Sequence, residues 1–240
     1  MISTKLFAVD RVVTDMLRSL EEEVDEWLDE EIATVPSRVA IDDPLQDVWL
    51  KEHPFIEWIN KTMMRYSGAE IACASLLRPD TLEINAAVTR RDVHALYPYP
   101  NSLAVVELTK EDIRLALEVS ASFLMVTNEG IVYINSDWEK PRLLSYNYDM
   151  WEGIEYQIDL RRPIGKRVIK LSMNGEPLKD QRYHVVTSSY RASGSGGYHM
   201  FGKEKIVKEY HQDMVELLVE DLKRERILPV EVDRNWKIVY

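Results

Sequence analysis

Three features of the 240-residue chain predict an α/β domain in which helices cover sheets around one shared core. Helical and strand-like apolar patterns alternate through its first half, and short β-rich runs bounded by turn residues dominate after residue 130. No linker long enough to demand two separate cores lies between these regions. Hydrophobic residues make up 45% and charged residues 30% of the chain, which excludes a disordered or fibrous protein. No window holds eighteen consecutive apolar residues, so no membrane span is expected. The apolar patch Leu6 to Val9 is too short for a secretory signal.

Residues 11–31 place Val13, Leu17, Leu20, Val24, Trp27 and Leu28 at helical spacing with carboxylates between them, predicting an amphipathic helix that lies on something larger. Nine acidic residues between Asp15 and Glu31 face only Arg18 and carry most of the net charge of −11. They read as a solvated helix face, and the rest of the chain shows no basic cluster suited to a nucleic acid. Pro36 to Pro44 reads as a connector. His53 to Tyr66 carries a second helical pattern stopped by Gly68, and Ala69 to Leu76 reads as a buried strand. Thr89 with Asp92, and Thr109 with Asp112, predict capping boxes that start two helices on either side of a strand at Ser102 to Leu108. Ile131–Asn135, Tyr156–Leu160, Val168–Met173 and Tyr183–Ser188 read as strands, the last two joined by a hairpin at Asn174-Gly175. A Gly- and Ser-rich loop at Ser193–Gly197 precedes a final helix over His211–Arg226.

Familiar catalytic motifs fail on context. Gly197 to Lys203 fits a P-loop, except that Glu204 stands where the magnesium-binding hydroxyl is needed. Asp92-Val93-His94 has the spacing of a metal pair, yet it falls inside a capped helix, and none of the five histidines follows an Asn or has an i, i+4 partner. The single cysteine, Cys73, excludes an internal disulfide and sits in an apolar run where an inert thiol is expected. No serine occupies a nucleophile elbow. By its residues alone, the chain is a binding domain without a reaction centre.

Two aromatic segments remain. Tyr146 to Gly153 holds three aromatic rings beside Asn147 and Asp149, and Gly194-Ser195-Gly196-Gly197-Tyr198 sets another ring behind a turn where backbone can approach a ligand closely. Two facing rings make a slot for a flat heterocycle. The alternative is that these rings are core or rim packing.

The order of segments resembles the 5′-nucleotidase C-terminal domain family. Gly68-Ala69-Glu70-Ile71 is similar to its G-A-D-I strand, and Tyr97-Pro98-Tyr99-Pro100-Asn101-Ser102-Leu103 to its P-F-G-N-T-L block. Asp149 to Leu160, Arg162 to Arg167, Asn174 to Leu178 and the Ser189–Phe201 loop continue the likeness in order, over roughly residues 11–240. Ser75-Leu76-Leu77-Arg78 without glycines, and Asn147-Tyr148-Asp149, look closest to the 2′,3′-cyclic-nucleotide 2′-phosphodiesterase/3′-nucleotidases. Ser195 stands where the family often has glycine, and Ser188-Ser189 replaces a pair of asparagines.

The resemblance implies a four-layer α-β-β-α sandwich, with residues 1–34 as an acidic connecting helix and 35–240 as the substrate-binding domain. It implies a nucleotide or nucleoside ligand held between Tyr148 and Tyr198, with Asn147, Asp149, Gly196, Gly197 and Arg78 contributing polar, close-approach or anion contacts. Hydrolysis belongs to a metallophosphoesterase domain with two divalent metals, which this chain lacks; no cofactor and no catalytic residue are expected within it. The chain is then a truncated form, a separately encoded half, or a remnant that serves as a stand-alone interaction module. Relatives of this kind are typically periplasmic, cell-wall or secreted.

Overall fold

The computed structural model describes residues 10–80, 82–140 and 142–240. The apolar patch Leu6 to Val9 lies outside them. Two sheets carry the fold, flanked by three two-stranded pairs among the described residues.

The five-stranded sheet is built from β3 (Ile71–Ser75), β6 (Ser102–Thr109), β9 (Asp149–Glu152), β13 (Arg182–Ser188) and β14 (Ile206–Asp213), in the order β14-β6-β13-β3-β9. β13 runs parallel to β3 and antiparallel to β6. Leu103 to Val106 of β6 are all buried; such an unbroken apolar run marks a strand covered on both faces. The second sheet has the order β12-β11-β10-β15, from β10 (Glu155–Asp159), β11 (Val168–Met173), β12 (Glu176–Pro177) and β15 (Trp236–Val239). The pairs are β1 (Glu31–Thr34) with β5 (Ala87–Thr89), β2 (Val39–Ile41) with β4 (Leu82–Ile84), and β7 (Leu124–Val126) with β8 (Val132–Ile134).

The helices are α1 (Arg11–Leu28), α2 (Pro54–Ser67), α3 (Arg90–Leu96), α4 (Lys110–Ala121), the single turn α5 (Ser189–Ala192) and α6 (Met214–Glu225). α2 packs on β3, β9 and β13, whereas α4 touches β6 and β9 of one sheet and β11 of the other, tying the sheets together. Both expected capping boxes form. Thr89 N–H donates to Asp92 Oδ2 at 2.7 Å and Thr109 N–H to Asp112 Oδ2 at 2.9 Å, while each threonine hydroxyl accepts the N3 amide at 3.2 Å. Gly68 ends α2 in the left-handed region at φ 75°, where a side chain is strained and glycine is not.

The structure revises four expectations. Asn174-Gly175 does form a turn, but it joins β11 to the two-residue β12, and the next strand, β13, crosses to the centre of the other sheet. The final helix starts at Met214 because His211 to Asp213 complete β14. The Pro36–Pro44 connector contains β2. The N-terminal helix stops at Leu28, and Glu31–Thr34 form a strand with Ile32 and Ala33 buried in the core.

Nor does α1 lie down on the domain. None of its residues is buried, and Met16 is 75% exposed. Only its last turns attach. Trp27 sits under the Arg90 guanidinium at 4.7 Å, and Arg91 donates to Asp25 and Asp29 at 2.7 Å each. The apolar stripe is real, but its members Val13, Leu17, Leu20 and Val24 are all exposed. Leu17→Lys is therefore expected to change stability by no more than about 0.5 kcal/mol, measured by urea unfolding; a loss several times larger would mean the stripe packs on the domain. Among the described residues, no helix is long and apolar enough to cross a membrane.

Candidate functional site

A cleft of about 330 Å³ opens where the parallel strands β3 and β13 end. That edge is where backbone groups and loops diverge to leave room for a ligand, and the volume falls within the usual range for small-molecule sites. Cys73, Ala74 and Ser75 of β3 and Thr187 and Ser188 of β13 lie along it, with Tyr97, Tyr99 and Asn101 from the loop before β6. Tyr146, Asp149, Tyr190 and Arg191 complete it, and Arg142 stands beside them.

The aromatic pair in this cleft is Tyr146 and Tyr190. Their ring centroids are 6.3 Å apart with planes at 65°. Tyr146 belongs to a short 3-10 turn, Ser145–Asn147, held by the Ser75 hydroxyl donating to the Tyr146 carbonyl at 2.7 Å. Tyr190 rides on α5, whose first turn is capped by the Ser188 side chain. The Arg142 guanidinium lies 5.5 Å from the Tyr146 ring centre, putting a cation at the slot.

Behind the rings is a buried polar network. Arg191, 2% exposed, donates from Nε to Asp149 Oδ2 at 2.6 Å and from Nη2 to Asp149 Oδ1 at 3.1 Å. Arg191 Nη2 also reaches Asn147 Oδ1 at 3.3 Å, and the same oxygen accepts the Tyr190 hydroxyl at 3.3 Å. Burial works against the Arg191 charge, but the carboxylate of Asp149 more than offsets it and raises the guanidinium pKa above its ordinary value. Asp149 is thereby spent on Arg191 and is poorly placed to act as a free base. Burial pushes the Cys73 thiol far up, as expected for an inert cysteine, and the Tyr97 phenol up to about 12.

The ring slot expected between Tyr148 and Tyr198 does not form, because both side chains fill the interior. Tyr148 is 2% exposed, donates its hydroxyl to the Trp49 carbonyl at 3.0 Å and packs on Phe123. Tyr198 is 0% exposed, donates to the Asn147 carbonyl at 2.7 Å, shares a 2.8 Å hydrogen bond with Ser120 and lies 3.7 Å beneath the Arg191 guanidinium. Extended backbone at Tyr148, just before β9, explains the first placement: Asp149 turns to the cleft, so its neighbour Tyr148 turns away. Asn147 supports Tyr190 from behind without lining the cleft. Gly196, at φ 73°, passes so close to the network that a Cβ there would stand 2.2 Å from Asn147 Oδ1 and 2.7 Å from Arg191 Nη1. Gly197 has open space around it, and neither glycine lines the cleft. Arg78 pairs with Asp80 on a separate shallow surface bounded by Leu82 and Leu96, and Arg142 occupies the place expected of it.

The cleft is not a site for two divalent metals, which the resemblance assigns to the separate metallophosphoesterase domain. Among the described residues, Asp149 is the only carboxylate that lines it, and no histidine does. Asp92, in the sequence metal-pair match, is committed to the α3 cap. One group of carboxylates with metal-ligand spacing does occur among the described residues, Glu52, Glu57 and Asp233, outside the cleft.

Residues 31–203 match the family model of the 5′-nucleotidase, C-terminal domain. The chain belongs to this family. A trifunctional nucleotide phosphoesterase protein of Bacillus subtilis is 30% identical over 165 residues, covering 62% of this chain and 11% of its own length. The 2′,3′-cyclic-nucleotide 2′-phosphodiesterase/3′-nucleotidase of Haemophilus influenzae is 29% identical over 177 residues, covering 65% of this chain and 26% of its own. The matched segment thus spans about a quarter or less of these curated relatives. Among solved structures, a putative 5′-nucleotidase from Staphylococcus aureus in complex with alpha-ketoglutarate superposes with a TM-score of 0.87 at 29% identity, over 100% of this chain and 46% of that one. A 5′-nucleotidase precursor from Thermus thermophilus gives 0.74 at 18% identity, over 100% and 45%, a likeness of fold. The mixed α/β architecture of this 5′-nucleotidase C-terminal domain is the one the sequence predicts. A stand-alone interaction module finds no support in these comparisons.

Proposed function

We propose that the chain is the substrate-recognition domain of a nucleotide phosphohydrolase, holding the base of a nucleoside or nucleotide between Tyr146 and Tyr190. Bond cleavage is assigned to a metallophosphoesterase domain with two divalent metals, in the same polypeptide or a separate one. The observation that carries this reading is the edge-to-face pair of tyrosine rings lining the cleft, backed by a buried network that fixes their supports. A flat ring held between two parallel rings needs about 7–8 Å, two van der Waals separations. The observed 6.3 Å at 65° therefore calls for a small opening and a turn of one ring. Tyr190 is 38% exposed and can turn without disturbing the core. Arg142 then faces the anionic part of the ligand.

Calorimetric titration with adenosine and 3′-AMP tests this. Tyr190→Ala is expected to weaken adenosine binding about tenfold to hundredfold, the worth of one base–aromatic stack, and Tyr190→Phe to retain most of it. Arg142→Ala should weaken 3′-AMP more than adenosine. If neither ligand binds the wild-type chain, the reading is wrong.

A further inference from the structure

A second constellation lies where the start of α2, the end of β9 and the segment entering β15 meet. It shares no lining residue with the tyrosine cleft. A cavity of about 10 Å³, room for a single ion or water centre, is bounded by Glu52, Glu57, Asn60 and Glu152, with Trp151 and Trp236 in its wall. Asp233 lies close to two of these acids: ligand oxygens of Glu52, Glu57 and Asp233 lie within 4.8 Å of one another.

Charge is unbalanced there. Four carboxylates gather around one cation, Lys61, which contacts Glu57 and, at 3.1 Å, Asp233 Oδ2. Lys61 is 39% exposed and reaches in from the solvent side; it forms no ion pair with Glu52 or Glu152 among the described residues. The second observation is independent of the acids. Asn60 is 2% exposed, its Nδ2 donates to the Met150 carbonyl at 3.1 Å, and its Oδ1 has no partner among the described residues. A buried amide oxygen without a donor costs roughly 1–3 kcal/mol, and here it belongs to a side chain that lines a carboxylate-walled cavity.

We propose that Glu52, Glu57, Glu152, Asp233 and the Asn60 amide oxygen form a structural calcium site that fastens the edges of the two sheets together. All five donors are hard oxygens, the set that selects calcium or magnesium over softer metals. Calcium accepts irregular shells at 2.3–2.6 Å, so oxygens on opposite sides of it stand about 4.6–5.2 Å apart, whereas magnesium requires about 4.0–4.2 Å. The ligand oxygens of Glu52, Glu57 and Asp233 lie within 4.8 Å of one another, close enough to share one ion, and donors drawn from α2, β9 and the segment entering β15 form the irregular kind of shell that calcium tolerates better than magnesium. Several donors already hold backbone in place: Glu52 Oε1 accepts Trp236 N–H at 2.9 Å, and Glu57 Oε2 accepts Asp233 N–H at 3.1 Å. The donors are thus anchored before an ion arrives.

Terbium, a luminescent stand-in for calcium, is the direct probe because Trp151 and Trp236 line the cavity and can sensitise its emission. Tryptophan-excited terbium emission is expected from the whole chain and should be quenched by added calcium. Calcium at a hundredfold excess over its Kd should also raise the melting temperature by about 5–10 °C. Both effects should vanish in the double variant Glu52→Gln/Glu152→Gln. Glutamine at position 52 keeps one acceptor for the two backbone N–H groups of Arg234 and Trp236 that Glu52 holds, so circular dichroism checks that the variant is folded; the single variant Glu152→Gln serves if it is not. A chain in which calcium alters neither emission nor melting holds only water in this cavity, and the proposal fails. It fails equally if the variants respond like the wild type, since the ion then sits elsewhere, for example along the acidic face of α1.

Discussion

Replacing Arg191 with alanine is expected to cost about 3–5 kcal/mol of folding stability, the usual loss when one partner of a buried ion pair is removed. The guanidinium is 2% exposed and makes two hydrogen bonds to Asp149, one to Asn147 and one to the Ser195 carbonyl. It also covers the Tyr198 ring at 3.7 Å. Alanine leaves the Asp149 carboxylate, 4% exposed, without a counter-charge and opens a space beneath the glycine turn. In a chain of this size the loss corresponds to a fall of roughly 6–20 °C in melting temperature. Urea unfolding should show a lower midpoint at unchanged slope. The double replacement Asp149→Leu/Arg191→Met should be milder than Arg191→Ala alone, because no buried charge is then left over. An Arg191→Ala protein within 1 kcal/mol of wild type would mean that water reaches the pair and that the network does not hold the cleft.

What the sequence discloses and what it hides divide along physical lines. Thr89 with Asp92 and Thr109 with Asp112 are legible because a capping box is settled within four residues. The strands around Ile71, Leu103 and Val185 are legible because unbroken apolar runs need cover on both faces. Asn174-Gly175 fixes a local turn, yet nothing local says that Arg182 to Ser188 will leave the hairpin for the other sheet. The stripe along α1 is visible as a period, but a period does not say whether anything covers it. The cleft is hidden for a similar reason. Tyr146 and Tyr148 are two residues apart, and only the 3-10 turn at Ser145–Asn147 sends one outward and the other into the core. Tyr190 carried a usable signal that spacing alone missed. It sits in the first turn of a short capped helix beside an arginine, and with Arg191 buried its neighbour, about 100° away around the helix, is turned toward the surface. Arg142 and Arg78 have no local feature that separates them; their positions follow from the loops that carry them.

The reassignment of the rings predicts a crossed pattern of losses. Tyr198→Ala is expected to cost about 3–5 kcal/mol of stability, as a fully buried aromatic does when truncated. Its hydroxyl donates to the Asn147 carbonyl and pairs with Ser120, so Tyr198→Phe should still lose about 1–3 kcal/mol through partners left unsatisfied. Tyr190→Ala, at a ring 38% exposed and bonded only through its hydroxyl at 3.3 Å, should cost no more than about 1 kcal/mol while losing most of the affinity for adenosine. Urea unfolding and adenosine titration on the same four proteins, wild type included, resolve the two roles. Tyr198→Ala should be folded at low temperature and, once corrected for its unfolded fraction, should bind within a few-fold of wild type unless the loss of Tyr198 releases Arg191 and Asn147. That release has its own signature: affinity and stability fall together in Tyr198→Ala, whereas in Tyr190→Ala affinity falls alone. A Tyr198→Ala protein as stable as wild type but unable to bind would reverse the assignment and return the ligand to the Gly-rich turn.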